Sequence, residues 1–179
     1  KRSEDTLLFA SFSRGYKPGG FNLGRWNPDD PDTLRPHPID PEFLDAYEAG
    51  WKQVWLESRW RTTFAGFIYK YSDLQMETTV NEQVVMRNMG EQDVWGIEFD
   101  FEGYLMDALR VNGAYSYNYG EYADEIDGDP KKPWAPQEQI GGNQLKRMPR
   151  HKFTLGGTYT QPTDIGDFAL NVRYYWQDE

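Results

Sequence analysis

Val94-Trp95-Gly96-Ile97-Glu98-Phe99-Asp100-Phe101-Glu102 alternates with a period of two. Successive side chains of an extended chain point to opposite faces, so Trp95, Ile97, Phe99 and Phe101 share one face and Glu98, Asp100 and Glu102 share the other. Such a strand separates an apolar environment from an aqueous one. A β-sandwich wall and a membrane β-barrel wall both need this pattern, so alternation alone does not choose between them. The choice turns on where those four apolar groups point: against a second sheet, or outward from a single one.

The same alternation recurs on both sides of this stretch. Val111, Gly113, Tyr115, Tyr117 and Tyr119 oppose Asn112, Ala114, Ser116, Asn118 and Gly120. Phe168, Leu170, Val172, Tyr174 and Trp176 oppose Ala169, Asn171, Arg173, Tyr175 and Gln177. Tyr47, Ala49, Trp51 and Trp55 oppose Glu48, Lys52 and Val54, and Phe153, Leu155 and Tyr159 oppose Thr154, Thr158 and Thr160. The pattern predicts seven strands: Thr6–Arg14, Asp45–Trp55, Trp60–Asp73, Val84–Glu102, Ala108–Glu121, His151–Gln161 and Asp167–Gln177. In Trp60–Asp73 the large residues change phase, from Trp60 and Phe64 to Phe67, Tyr69 and Tyr71, and a β-bulge at Ala65-Gly66 is expected there. No helix is signalled, and the proline-rich stretches 28–41 and 130–136 read as loops of a single domain.

The connections discriminate better than the strands. Leu56–Arg59, Gly103–Asp107 and Pro162–Gly166 are short, whereas Gly15–Leu44 and Tyr122–Arg150 are long. The connection near Thr78–Gln83 joins two strands too long for a bilayer, which are expected to project beyond it. In an up-and-down meander all the short turns then lie at one end and all the longer loops at the other. Outer-membrane barrels sort their loops in this way, and a Greek-key sandwich does not. The fold class expected is all-β: an antiparallel meander of about seven strands within a larger transmembrane barrel.

Composition narrows the function. Of 179 residues, 38% are hydrophobic and 16% aromatic, which suits a protein that buries little and presents many amphipathic rings. A net charge of −10 leaves little to neutralise phosphates, so nucleic acid is not an expected partner. With no cysteine there is no disulfide framework and no thiolate metal site. No apolar run is long enough for a transmembrane helix. No N-terminal signal peptide is visible, so the chain is read as mature or as cut from a longer protein. Ser11 and Ser13 lack a nucleophile-elbow context, the Gly19-Gly20 and Gly141-Gly142 pairs precede no helix, and no catalytic constellation is found. The acidic run 124–129 offers clustered carboxylates of the kind that bind calcium but lacks the full EF-hand spacing, so it and 29–32 read first as solvated loops, and His37 and His151 are too few and too far apart to suggest zinc. Neither metal nor cofactor is expected.

Ser13-Arg14-Gly15-Tyr16-Lys17-Pro18-Gly19-Gly20-Phe21-Asn22 closes the first strand with a glycine-rich, cationic, aromatic turn. This segment resembles one in the β-barrels of TonB-dependent outer-membrane receptors. The resemblance extends through Tyr47-Glu48-Ala49-Gly50-Trp51-Lys52, then Phe67 to Gln75, then Arg87-Asn88-Met89-Gly90 with Trp95-Gly96-Ile97-Glu98, and on to Met148-Pro149-Arg150-His151-Lys152-Phe153. Order and spacing agree over nearly the whole chain. Gly15, Gly19 and Gly20 are expected to adopt positive φ as the strand leaves the membrane, with Tyr16 and Phe21 in an interfacial girdle and Arg14 and Lys17 at headgroup depth or in the lumen.

The resemblance implies a place in the outer membrane of a Gram-negative bacterium and import of a scarce solute, such as a siderophore, vitamin or oligosaccharide. The implied partners are outer-membrane lipid, the solute, and the TonB complex acting through a plug domain. Such barrels have about 22 strands. Neither plug nor TonB box is visible here, and the last residues are Gln177-Asp178-Glu179 rather than a terminal aromatic, so missing sequence at both ends is expected. Arg25, Trp26, Tyr122 and Trp134 are the candidate solute contacts, because aromatic and arginine groups dominate ligand capture. The competing reading is a soluble β-sandwich that binds carbohydrate.

Overall fold

Seven strands hydrogen-bond in chain order to form one antiparallel sheet. A computed structural model describes residues 5–22, 37–80, 83–88, 90–122, 142–145 and 147–178. The sheet strands are β1 (Thr6–Lys17), β4 (Glu42–Trp55), β5 (Trp60–Ser72), β8 (Gln92–Met106), β9 (Leu109–Tyr122), β10 (His151–Thr163) and β11 (Gly166–Gln177). Two small ladders stand apart from it: β2 (Gly20–Asn22) with β3 (His37–Ile39), and β6 (Gln75–Val80) with β7 (Gln83–Asn88). No helix occurs among the described residues.

The register sorts side chains by chemistry across the full width of the sheet. One rung runs Leu8, Trp51, Phe64, Phe99, Tyr115, Phe153, Trp176. The next runs Phe9, Gly50, Ala65, Glu98, Ser116, Lys152, Gln177 and belongs to the opposite face. On the other side of the apolar rung lies Leu7, Lys52, Thr63, Asp100, Ala114, Thr154, Tyr175. One face is thus a continuous aromatic and aliphatic band, and the other is mixed polar.

The apolar band is uncovered. Leu8 is 77% exposed, Val172 63% and Trp95 45%, and the only buried hydrophobics among the described residues are Ala65, Val85, Val94 and Leu145. A sandwich would bury Trp95, Ile97, Phe99 and Phe101 against a second sheet, and among the described residues none covers them. In water such a band would be unfavourable by roughly 25 cal/mol for each Å² exposed, whereas in hydrocarbon it is the preferred surface. The sandwich reading therefore fails.

Several expectations need correction. Pairing through Ala65 and Gly66 is unbroken on both sides, to Gly50 and Ala49 and to Glu98 and Ile97, so there is no bulge there. Phe67, Tyr69 and Tyr71 lie on the polar face. Phe67 is accommodated by a glycine on the next strand: a Cβ at Gly96 would come within 2.6 Å of the Phe67 Cζ atom. Phe9 uses Gly50 identically, again at 2.6 Å. The register shift that does occur lies between Tyr104 and Met106, where β8 runs past the expected strand end at Glu102. The expected strand Val84–Glu102 is two strands, separated around Gly90 (φ 84°), and its partner breaks at Asp73 (φ 55°). A single Leu74 N–H···O=C Gly90 bond of 3.0 Å joins the two breaks. The expected long hairpin is thus jointed at Asp73 and Gly90.

The first strand also runs on to Lys17, paired with Glu42, so the chain turns only at Pro18-Gly19. Gly15, Gly19 and Gly20 are absent from the positive-φ residues. Gly19 is required for another reason: a Cβ there would collide with the Ile39 carbonyl oxygen and lie 3.1 Å from the Pro41 nitrogen. Left-handed backbone appears instead at Leu56, Glu57 and Ser58 (φ 51°, 54° and 71°), in the tight β4–β5 turn.

The facing assignment is directly testable. Ile97→Arg, on the apolar face, should cost about 2–4 kcal/mol in a lipid bilayer. Ser116→Arg, on the polar face, should cost no more than about 0.5 kcal/mol. Denaturant titration of the folded fraction in vesicles measures both, and equal costs would overturn the assignment.

Candidate functional site

The polar face carries charges of both signs on neighbouring strands. At the short-turn end Glu102 is shared by two arginines. Arg110 Nη2 donates to Glu102 Oε2 at 2.5 Å, and Arg61 Nη1 lies 3.6 Å from Oε1. Arg61 and Glu102, with Asp100 and Arg173, line an open groove of about 480 Å³. All three bridging groups are substantially solvent-exposed, so the network orients side chains more than it stabilises the sheet.

The opposite end of the same face differs in character. There the stacked pair Phe67 and Tyr69 (ring centroids 4.7 Å apart) continues into Tyr71 along β5. Residues 142–145 and 147–150 form a strap that runs along β9 at this end. Gly142 N–H donates to the Tyr122 carbonyl (2.8 Å), Tyr122 N–H to Asn143 (3.2 Å), Leu145 N–H to Gly120 (3.0 Å) and Asn118 N–H to Arg150 (2.9 Å). Arg150 is held over the Tyr119 ring, 5.4 Å from its centroid, while its guanidinium also donates to Gln144 Oε1 at 2.7 Å. The strap places Leu145 against Gly120, where an added Cβ would meet the leucine Cδ1 at 2.5 Å and the Met148 sulfur at 3.1 Å.

Strap and sheet enclose a recess of about 640 Å³ lined by Tyr69, Tyr71, Tyr122, Met76, Arg147 and Lys152, among others. Aromatic walls with a few cationic groups suit a solute that has flat or apolar parts and carries negative charge. The recess opens at the long-loop end of the sheet, on the polar face.

Of the expected solute contacts, Tyr122 lines this recess. Arg25, Trp26 and Trp134 lie outside the described residues, as do both acidic runs. Phe67, Tyr69, Tyr71, Met76 and Arg147 were not singled out as contacts. Period-two reading assigned the β5 aromatics to the apolar face, and Arg147 reaches the recess only through the strap.

The opening glycine-rich segment takes varied positions. Arg14 and Tyr16 share the register of the apolar face, and Arg14 is bidentate to Asp45, at 2.5 and 2.6 Å. Tyr16 and Phe21 are 73% and 64% exposed. Asn22 binds the backbone of β7, described below. His151 shares a 2.8 Å hydrogen bond with the Tyr115 hydroxyl, and no group of three or more metal-ligating side chains occurs among the described residues.

Residues 2–179 match the family described as TonB dependent receptor-like, beta-barrel. The probable TonB-dependent siderophore receptor PiuA of Acinetobacter baumannii is 26% identical over 161 residues, covering 89% of this chain and 21% of that protein. The metal-pseudopaline receptor CntO of Pseudomonas aeruginosa is 30% identical over 153 residues, covering 85% and 18%. The chain therefore spans about a fifth of the length of these relatives. Among solved structures, the ferric yersiniabactin uptake receptor FyuA of Yersinia pestis superposes with a TM-score of 0.70 at 17% identity, over 97% of this chain and 24% of that one. BauA, the ferric preacinetobactin receptor of Acinetobacter baumannii, gives 0.68 at 17% identity, over 99% and 24%.

The strap's seating generates its own test. Gly120→Val should displace Leu145 and Met148 and raise tryptic cleavage after Arg147 several-fold, while the sheet strands keep their protection. Unchanged cleavage would mean that the strap is not held by this contact.

Proposed function

Because the chain belongs to the TonB-dependent receptor-like β-barrel family, we propose that it forms a seven-stranded arc of the transport barrel of a siderophore-class receptor in the Gram-negative outer membrane. Its apolar band faces lipid, and its polar face lines the lumen. The short turns lie on the periplasmic side, and the recess opens outward at the extracellular rim. The remaining strands and the plug domain belong to the rest of the parent receptor. TonB acts on that plug, so this arc takes no direct part in energy coupling.

The observation that carries this reading is the aromatic, cationic recess at the extracellular end of the lumen face. A ferric siderophore offers the matching chemistry: a bulky, partly apolar chelate whose metal-binding groups are commonly anionic. Tyr69, Tyr71 and Tyr122 supply amphipathic contact area at low side-chain entropy cost, and Arg147 and Lys152 supply long-range attraction. The relatives that include a siderophore receptor and a metal-pseudopaline receptor favour this solute class over vitamins and oligosaccharides.

In the parent receptor, the double substitution Tyr71→Ala/Tyr122→Ala should weaken binding of the cognate ferric siderophore by about 10- to 100-fold, as expected for the loss of central aromatic contacts. Binding to purified receptor and radioactive iron uptake by iron-starved cells measure the effect. Uptake should also vanish in a strain lacking TonB. Unaltered affinity in the double variant would remove the recess from the binding site, and TonB-independent uptake would remove the transport reading.

A further inference from the structure

Two of the sequence motifs, Gly19-Gly20-Phe21-Asn22 and Arg87-Asn88-Met89-Gly90, lie far apart in the chain and on different extracellular connections. Their asparagines meet in a reciprocal arrangement. Asn22 Oδ1 accepts the Met86 N–H at 2.9 Å, and Asn22 Nδ2 donates to the Met86 carbonyl at 2.6 Å. Asn88 Oδ1 accepts the Asp40 N–H at 2.9 Å, and Asn88 Nδ2 donates to the Asp40 carbonyl at 2.9 Å and to Asp73 at 2.7 Å. Each carboxamide satisfies both polar groups of a single residue on the other connection. That is the paired-bond pattern of an antiparallel ladder, made by side chains. The orientation of each amide follows, because a flipped amide would set donor against donor. Gln75 reinforces the joint by donating to the carbonyls of Pro18 and Asp40, at 3.1 and 3.0 Å.

We propose that Asn22 and Asn88 form a reciprocal latch that makes the β2–β3 and β6–β7 hairpins one mechanical unit. Neither hairpin is stable by size: β2 and β3 have three residues each, and two-stranded ladders are marginal in water. Each carboxamide bonds backbone of the other connection, at Met86 in β7 and at Asp40 just after β3, so releasing one removes support from both hairpins. The latch also fixes the position of Met76, which pairs with Arg87 and walls the recess. On the import reading, Asn22 and Asn88 are therefore positioning residues for solute capture. The latch itself does not depend on that reading.

Hydrogen exchange in the full-length receptor in detergent micelles tests the latch without any solute. In Asn22→Ala the Met86 amide loses its acceptor and should exchange at least about tenfold faster. The latch further requires the Asp40 amide, whose acceptor among the described residues is Asn88, to accelerate in the same variant, and the converse in Asn88→Ala. The double variant should exchange no faster than the faster single one. Amides of β4, β5 and β8 should not change. If the substitution also loosens those strands, Asn88→Asp keeps the side-chain shape and the acceptor while removing both donated bonds, and should give the same coupled loss. Acceleration confined to the amide that lost its own partner, with the other hairpin unaffected, would overturn the proposal. A siderophore that binds the latched and unlatched receptors equally would remove the positioning role and leave the latch standing.

Discussion

The ladder of backbone hydrogen bonds across β1, β4, β5, β8, β9, β10 and β11 is the constraint on which the other features depend. Hydrocarbon offers backbone groups no alternative partner, so a spanning sheet keeps its pairing complete. Complete pairing fixes the register, and the register fixes which side chains meet lipid. A slip of one residue would carry the Leu8-to-Trp176 rung into the lumen and the Glu98 and Lys152 rung into the acyl chains. A spanning sheet of this kind also needs apolar groups at only every second position. That accounts for a chain with 38% hydrophobic residues and very little buried core.

The constraint also gives a packing meaning to residues that look functional. Gly50 lies in Tyr47-Glu48-Ala49-Gly50-Trp51-Lys52, and Gly96 lies in Trp95-Gly96-Ile97-Glu98. Both are the floors on which lumen-facing phenylalanines rest, Phe9 over Gly50 and Phe67 over Gly96. Lys52 sits over the Phe9 ring at 5.6 Å, joining the same stack. An aromatic ring covering a glycine on the next strand restores contacts that the missing side chain cannot make. Large rings can therefore occupy the polar face without breaking strand phase.

The strands and their faces were legible because period-two alternation is a direct image of the pleat. Loop asymmetry added the barrel, since a meander has only two ends at which to place its turns. No bulge is needed at Ala65-Gly66 for the reason just given: the Phe67 ring points to the polar face, seated on Gly96 of the neighbouring strand, which the pattern of β5 alone does not show. Positive φ was expected at glycines of the opening segment, but Leu56, Glu57 and Ser58 adopt it, forced by a tight turn between two fully paired strands. Of the recess, Tyr122 was recognisable as a loop aromatic. Arg147 and Met148 were not, because the strap brings them there through backbone bonds to Gly120 and Tyr122 that carry no side-chain signature. The Asn22–Met86 contact spans 64 positions and leaves no trace in local pattern.

The joints at Asp73 and Gly90 divide two kinds of inheritance. Below them, each residue answers to its neighbours across the sheet and to the lipid. Above them, β6 and β7 answer to each other, and the Leu74–Gly90 bond is the stitch between the two joints. Such a segment could be exchanged between barrels without disturbing the wall beneath, were it not for the asparagines. A β6–β7 graft taken without its matching β2–β3 hairpin would arrive with its Met86 backbone and its Asn88 carboxamide without their partners. On the latch reading, a transfer that keeps both hairpins supported moves two distant stretches of the chain together, and the exchangeable unit of this rim is a pair of hairpins.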